Sequence, residues 1–171
     1  VVDDNETMRS GISLVVERMG HEGAAAASGR EALSLLQERE FDLVVTDYRM
    51  EEMDGLQVLE AVKADHAGTD VMVITAHGTI EIAVEAMKLG AADFITKPFP
   101  PDALRLKIDR VLKHRDDRQE RLRLGEENRY LREEIGVRYG EIVGKSDKIK
   151  EILALTERIS GADSSVLIYG E

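Results

Sequence analysis

Residues 42–56 read DLVVTDYRMEEMDGL. Leu43–Thr46 is a short apolar, β-branched run of the kind that fills a buried strand. It ends on a carboxylate, Asp47, and after a polar loop Leu56, Leu59 and Val62 repeat at helical spacing. A buried strand, an acid at its carboxyl end and an amphipathic helix form one unit of an alternating α/β fold.

The same unit recurs on either side. Val1–Val2, Gly23–Ala27, Val71–Thr75 and Phe94–Thr96 are further strand candidates. Between them, Met8, Ile12, Val15 and Met19 share a helical face, as do Leu33 and Leu36 with Phe41 at the exit, and Ile82, Ala83, Ala86 and Leu89. Ser28 followed by Glu31 predicts a capping box, and Gly90 stands where a helix C-cap is wanted. Five strands alternating with five helices in about 112 residues predict a flavodoxin-like, doubly wound parallel sheet of order 2-1-3-4-5.

The chain has 171 residues, 43% hydrophobic and 33% charged, with a net charge of −11. That apolar content supports a core and excludes disorder throughout. Without cysteine there is no disulfide framework, thiolate nucleophile or zinc–thiolate site. No apolar run reaches the roughly 18–20 residues of a membrane span, and no signal peptide is visible, so a cytoplasmic location is expected. The abrupt start at Val1 suggests a piece of a longer protein. Residues 1–112 carry eleven bases and twenty-one acids, 113–135 seven of each, and 136–171 five and six. The acidity therefore belongs to the first part, where it disfavours direct contact with nucleic acid.

Three parts follow: residues 1–113, a helical linker over 114–140, and a second domain beginning within 141–171. The linker has no proline, and Gly125 is its only breaker before Gly136. Leu124, Asn128, Leu131 and Ile135 fit d, a, d, a of a short dimeric coiled coil. Its balanced charges, with Arg115, Arg118 and Arg121 on the inner face upstream, equally fit a solvated helix. Residues 146–160 predict an amphipathic helix capped by Ser146, and Ser165–Tyr169 a buried strand.

Four strand ends carry polar residues that packing does not require: Asp3 with Asp4, Asp47, Thr75 and Lys97. In a sheet of order 2-1-3-4-5 these converge on the crevice outside the strands' carboxyl ends. Three carboxylates in one crevice call for a cation, and hard oxygen donors with room for water suit Mg2+. A nearby lysine and hydroxyl complete a cradle for a phosphoryl group, with a carboxylate as nucleophile. His21, His66, His77 and His114 are scattered without ligand spacing.

VVDDN, DLVVTDYRMEEMDGL, VMVITAHGT and GAADFITKPF together resemble the response-regulator receiver domain of two-component signalling, over residues 1 to about 113. The resemblance implies that Asp47 accepts a phosphoryl group from a sensor histidine kinase. Asp4, Asp47 and the backbone carbonyl of Arg49 would ligate Mg2+, with Asp3 holding it through water. Lys97 would pair with the carboxylate and then with the phosphoryl oxygens. Thr75 and Phe94 would be switch residues, and the Lys97–Pro98 peptide would be cis. Two departures are visible: Glu51 replaces a usual proline, and the switch aromatic is phenylalanine rather than tyrosine.

IVGKSDKIKEILALTERIS with SSVLIYGE resembles the entry to the AAA+ ATPase domain of NtrC-family sigma-54-dependent activators. Gly170 and Glu171 would open its phosphate loop, which breaks off before the nucleotide-binding lysine, so ATP binding is expected only of the full-length parent. The implied function is a response regulator whose receiver dimerises, through its fourth and fifth helices or the linker, to control that ATPase. Sigma-54 RNA polymerase and DNA would be reached through other domains, and this segment is expected not to be an enzyme. The alternatives are a receiver joined to a different output, or a metal-dependent aspartyl phosphatase. That last class places an acid two residues after the nucleophile, where this chain has Arg49.

Overall fold

The computed structural model describes residues 1–76, 80–139, 146–159 and 167. The chain divides into two compact units, Val1–Arg121 and Leu122–Glu171.

In the first unit, strands β1 (Leu43–Asp47), β2 (Asp70–Ala76) and β3 (Asp93–Lys97) form a parallel sheet in that order. Val2 continues it through single parallel bridges to Thr46 on one side and Ala26 on the other. The spatial sequence is Ala26, Val2, β1, β2, β3, which is the expected 2-1-3-4-5. The first two expected strands are, however, only one bridge long. Val2 N–H donates to Val45 O at 2.8 Å and Ala26 N–H to Val1 O at 2.8 Å. The second segment, Gly23–Ala27, is glycine and alanine only, residues with little side chain to pack on a pleated surface.

Helices cover both faces. Val44, Val71 and Val73 point to one face and pack with Leu36 of α2 (Gly29–Glu38), Leu59 and Val62 of α3 (Gly55–Asp65) and Ala86 of α4 (Ile80–Lys88). Val45, Met72, Ile74 and Ile95 point to the other, against Ile12 of α1 (Glu6–Arg18) and Leu104 and Ile108 of α5 (Pro101–Tyr139). This is the alternation expected of strands buried on both sides.

Local signals fix the helix starts. The Asn5 side chain accepts from Met8 N–H, and Asp54 forms a full capping box with Gln57. The box expected from Ser28 is half formed. Ser28 Oγ accepts from Glu31 N–H at 3.3 Å, but the Glu31 carboxylate reaches one residue further back, to Ala27 N–H at 2.7 Å. Gly90 has φ +91°, the left-handed conformation a helix C-cap requires.

Helix α5 runs without interruption past Gly125 to Tyr139. Within the first unit its arginines are not simply solvated. Arg115 Nη2 pairs with Asp42 Oδ1 at 2.6 Å, and Arg118 Nη2 donates to both oxygens of Asp70 at 3.2 and 3.0 Å. Asp42 precedes β1 and Asp70 opens β2, so both pairs lie at the strands' amino ends, away from the acidic edge.

In the second unit the described part after α5 is α6 (Asp147–Ile159), where Ser146 Oγ accepts from Ile149 N–H at 3.4 Å. Ile152, Leu153 and Leu155 are exposed. Of the expected strand Ser165–Tyr169 only Leu167 is described, and it is exposed; Gly170 and Glu171 lie outside the described residues. The side chains of Leu131 and Ile135 in the expected coiled coil do as well. No described helix is long and apolar enough to cross a membrane.

Candidate functional site

The carboxyl ends of the strands bring Asp3, Asp47 and Lys97 together on the sheet face covered by α1 and α5. Asp47 is the last residue of β1 and pairs in register with Ile74; Lys97, the last of β3, pairs with Ala76. Even spacing puts both on one face, and the Val2–Thr46 bridge brings Asp3 level with Asp47.

Lys97 Nζ lies 3.1 Å from Asp3 Oδ2 and 2.9 Å from Asp47 Oδ1. Both are close, charge-assisted contacts that tie Lys97 to the two carboxylates. Asp3 is fixed further by Asn5 N–H, which donates to its Oδ1 at 2.9 Å. Asp4 is exposed. One carboxylate oxygen from each of Asp3, Asp4 and Asp47 lies within 4.8 Å of the other two. The Lys97–Pro98 peptide is cis.

Burial is the largest influence on Asp47 and pushes its carboxyl pKa up. Lys97 opposes that, the Asp3 charge adds to it, and the net shift is upward. Burial alone would pull the Lys97 ammonium down, but Asp47 and Asp3 together outweigh it and hold its pKa above the ordinary value. Lys97 thus pairs with two of the three carboxylates and leaves Asp4 unpaired by it. Hard carboxylate oxygens gathered from three residues, with Asp4 open to water, fit a small divalent cation such as Mg2+.

Thr75 and Phe94 occupy the opposite face, since Val73 pairs with Phe94 and Thr75 with Thr96. The Thr75 hydroxyl is buried and has no partner among the described residues. Buried polar atoms are normally satisfied, so this one is poised for a group that can hydrogen-bond to it. Phe94 is half-buried, with Lys107 Nζ 5.5 Å from its ring centre. Arg49 sits in the exposed loop two residues beyond Asp47, and His77 lies outside the described residues.

Two contributors escaped the sequence reading. A Cβ on Gly55 would collide with the backbone carbonyl of Asp47, so glycine is what lets the start of α3 close onto β1. Arg9, on α1, donates from Nη1 to Asp3 O at 2.7 Å and lies 3.5 Å from Asp4 O. Gly55 was within a quoted motif, but its reason is a tertiary contact. Arg9 gave no signal, because one base on an amphipathic helix is ordinary.

A family model for the response regulator receiver domain matches residues 1–109. The transcriptional regulatory protein ZraR of Escherichia coli O157:H7 is 33% identical over 171 residues, which is all of this chain and 36% of that protein. The regulatory protein AtoC of Escherichia coli strain K12 is 34% identical over 173 residues, again 36% of its length. The chain therefore spans about a third of these relatives. The crystal structure of the receiver domain of NtrX from Brucella abortus superposes with a TM-score of 0.63 at 37% identity, covering 66% of this chain and 95% of that one. A longer NtrX crystal structure gives 0.70 at 30% identity, covering 95% of this chain and 34% of its own.

Proposed function

The chain belongs to the response-regulator receiver family, among relatives of NtrC type, and on that premise we propose that it is the phosphoryl-accepting input part of a sigma-54-dependent activator. The observation that carries the reading is Lys97 bridging Asp3 and Asp47 at the carboxyl edge of the sheet.

Asp47 is the acceptor. One of its oxygens bonds to phosphorus as the bond from phosphorus to the imidazole nitrogen of a sensor kinase's phosphohistidine breaks, and the imidazole leaves with the electron pair. Asp3, Asp4, Asp47 and the Arg49 carbonyl would hold Mg2+. Bound there, the ion supplies positive charge against the carboxylates and the incoming phosphoryl oxygens. Lys97 releases the Asp47 carboxylate and holds a phosphoryl oxygen. Thr75 then gains the partner its buried hydroxyl lacks, and Phe94 moves inward on the same face.

Phosphorylation adds roughly −1.5 to −2 charges. Moving a switch from 1:99 to 99:1 takes about 5.5 kcal/mol of differential binding. Thr75 gains a charge-assisted contact of roughly 1.5–3 kcal/mol, while Lys97 exchanges a carboxylate for a phosphoryl oxygen and adds only the difference between the two. Exposed Val84 and Met87 on α4 and Leu106 on α5 support a homodimer face there. Residues 1–113 serve as receiver, 114–140 as linker, which the exposed Leu124 can extend into a coiled-coil dimer, and 141–171 as the opening of an AAA+ domain. Gly170 and Glu171 begin its phosphate loop; ATP, sigma-54 polymerase and DNA are engaged by the complete cytoplasmic protein.

Incubation with radiolabelled acetyl phosphate and Mg2+ tests the assignment. Label is expected on Asp47 and is lost in Asp47→Ala; label retained by that variant overturns the acceptor.

A further inference from the structure

The pair Asp3–Asp4 is held by a closed circuit of hydrogen bonds that ends on a residue the proposed chemistry does not use. Asn5 N–H donates to Asp3 Oδ1 at 2.9 Å. Asn5 O in turn accepts from Arg9 N–H at 2.9 Å, within the first turn of α1. The Arg9 side chain then folds back, its Nη1 donating to Asp3 O at 2.7 Å and approaching Asp4 O at 3.5 Å. With Lys97 on Asp3 Oδ2, every oxygen of Asp3 has a donor.

Asp4 differs. It is exposed, and the Arg9 guanidinium lies near its backbone carbonyl. Its carboxylate is placed by the backbone it hangs from, and Arg9 holds that backbone firmly at the Asp3 carbonyl and approaches it at Asp4. A planar guanidinium can serve two carbonyls with fixed geometry, whereas an ammonium is a point donor on a flexible stem.

We propose that Arg9 is a positioning residue of the acidic site: by fastening the Asp3 carbonyl and bracing that of Asp4, it holds the backbone that places their carboxylates around the common point where a divalent cation is held. The proposal rests on the reading of Asp3, Asp4 and Asp47 as a cation site. It separates sharply from a simple effect of charge. A guanidinium beside a cation site repels the cation, so if charge were its whole influence, removing it would tighten binding. If it positions the carboxylates, removing it weakens binding, on the scale of about tenfold seen when groups behind metal ligands are lost.

Isothermal titration with MgCl2 on the full chain, as wild type, Arg9→Met, Arg9→Lys and Asp47→Ala, decides between them at 0.1 M and 1 M KCl. Expected are a roughly tenfold weaker affinity for Arg9→Met and partial recovery in Arg9→Lys. The deficit should persist at 1 M salt, where a Debye length of about 3 Å suppresses through-space charge effects. Thermal melts without metal accompany each titration, and Arg9→Lys carries the test if Arg9→Met does not fold. An Arg9→Met affinity equal to or tighter than wild type, or a deficit that vanishes at 1 M salt, overturns the proposal. Wild type binding Mg2+ no better than Asp47→Ala would instead overturn the cation site itself, and the proposal with it.

Discussion

Arg118 grips Asp70 through one amino group placed 3.2 and 3.0 Å from the two carboxylate oxygens. The Asp70 side chain is only 7% exposed, while that of Arg118 is 54% exposed. Lys63 Nζ also stands 3.6 Å from Asp70 Oδ1. The partners are unequal: freed arginine returns to water, but freed aspartate stays buried. Arg118→Met is therefore expected to destabilise by about 1–2 kcal/mol, moderated by Lys63, and Asp70→Asn by less. Urea unfolding of both variants checks the order.

Asp47→Asn is expected to stabilise the metal-free protein at neutral pH. The folded-state pKa of Asp47 is raised, chiefly by burial, so the folded chain keeps this proton over a window in which the unfolded chain has lost it. Stability falls as pH rises through that window, and the penalty is complete above it. Asparagine removes the penalty. The gain in melting temperature should be present at pH 7 and fade as pH drops through the raised pKa toward the ordinary carboxylate value. The raised pKa of Lys97 does not interfere, since its contribution is complete below the ordinary lysine pKa and is lost only as pH rises through the folded value. Melts across pH 3–8 in EDTA measure the effect.

Thr75→Val replaces a buried hydroxyl that has no partner among the described residues with a methyl of similar volume. No hydrogen bond is lost, so unphosphorylated stability should be unchanged or higher by up to about 1 kcal/mol. The same variant should blunt the response to beryllofluoride, a phosphoryl mimic, read as chemical-shift changes at Phe94.

Gly55→Ala brings a methyl group onto the Asp47 carbonyl, a backbone atom that cannot swing aside. Expected are a loss of about 1–3 kcal/mol and slower labelling by acetyl phosphate, because the strand end carrying the acceptor must shift. Denaturation and labelling time courses give the two readouts.

Sheet order and the Asp3, Asp47 and Lys97 cluster were legible because each rests on a local pattern, an apolar run with a polar residue at its end. Parallel topology does the rest, by delivering every strand end to one edge. What was not legible rests on pairings distant in sequence. Arg115 and Arg118 sit in a stretch of balanced charge, where an arginine facing solvent and one facing Asp42 or Asp70 look alike. Gly55 and Arg9 act on backbone carbonyls, which carry no residue code. The first two strands shrank to single bridges because an apolar run does not state how many ladder bonds it will make.

The fastening of α5 also sets where this input part can be cut and joined to something else. The family match ends at residue 109, but a junction there would discard both arginines and leave Asp70 buried without its guanidinium. A transplant that keeps residues through Arg121 carries its own floor with it, and a hybrid regulator joined beyond that point inherits an intact module.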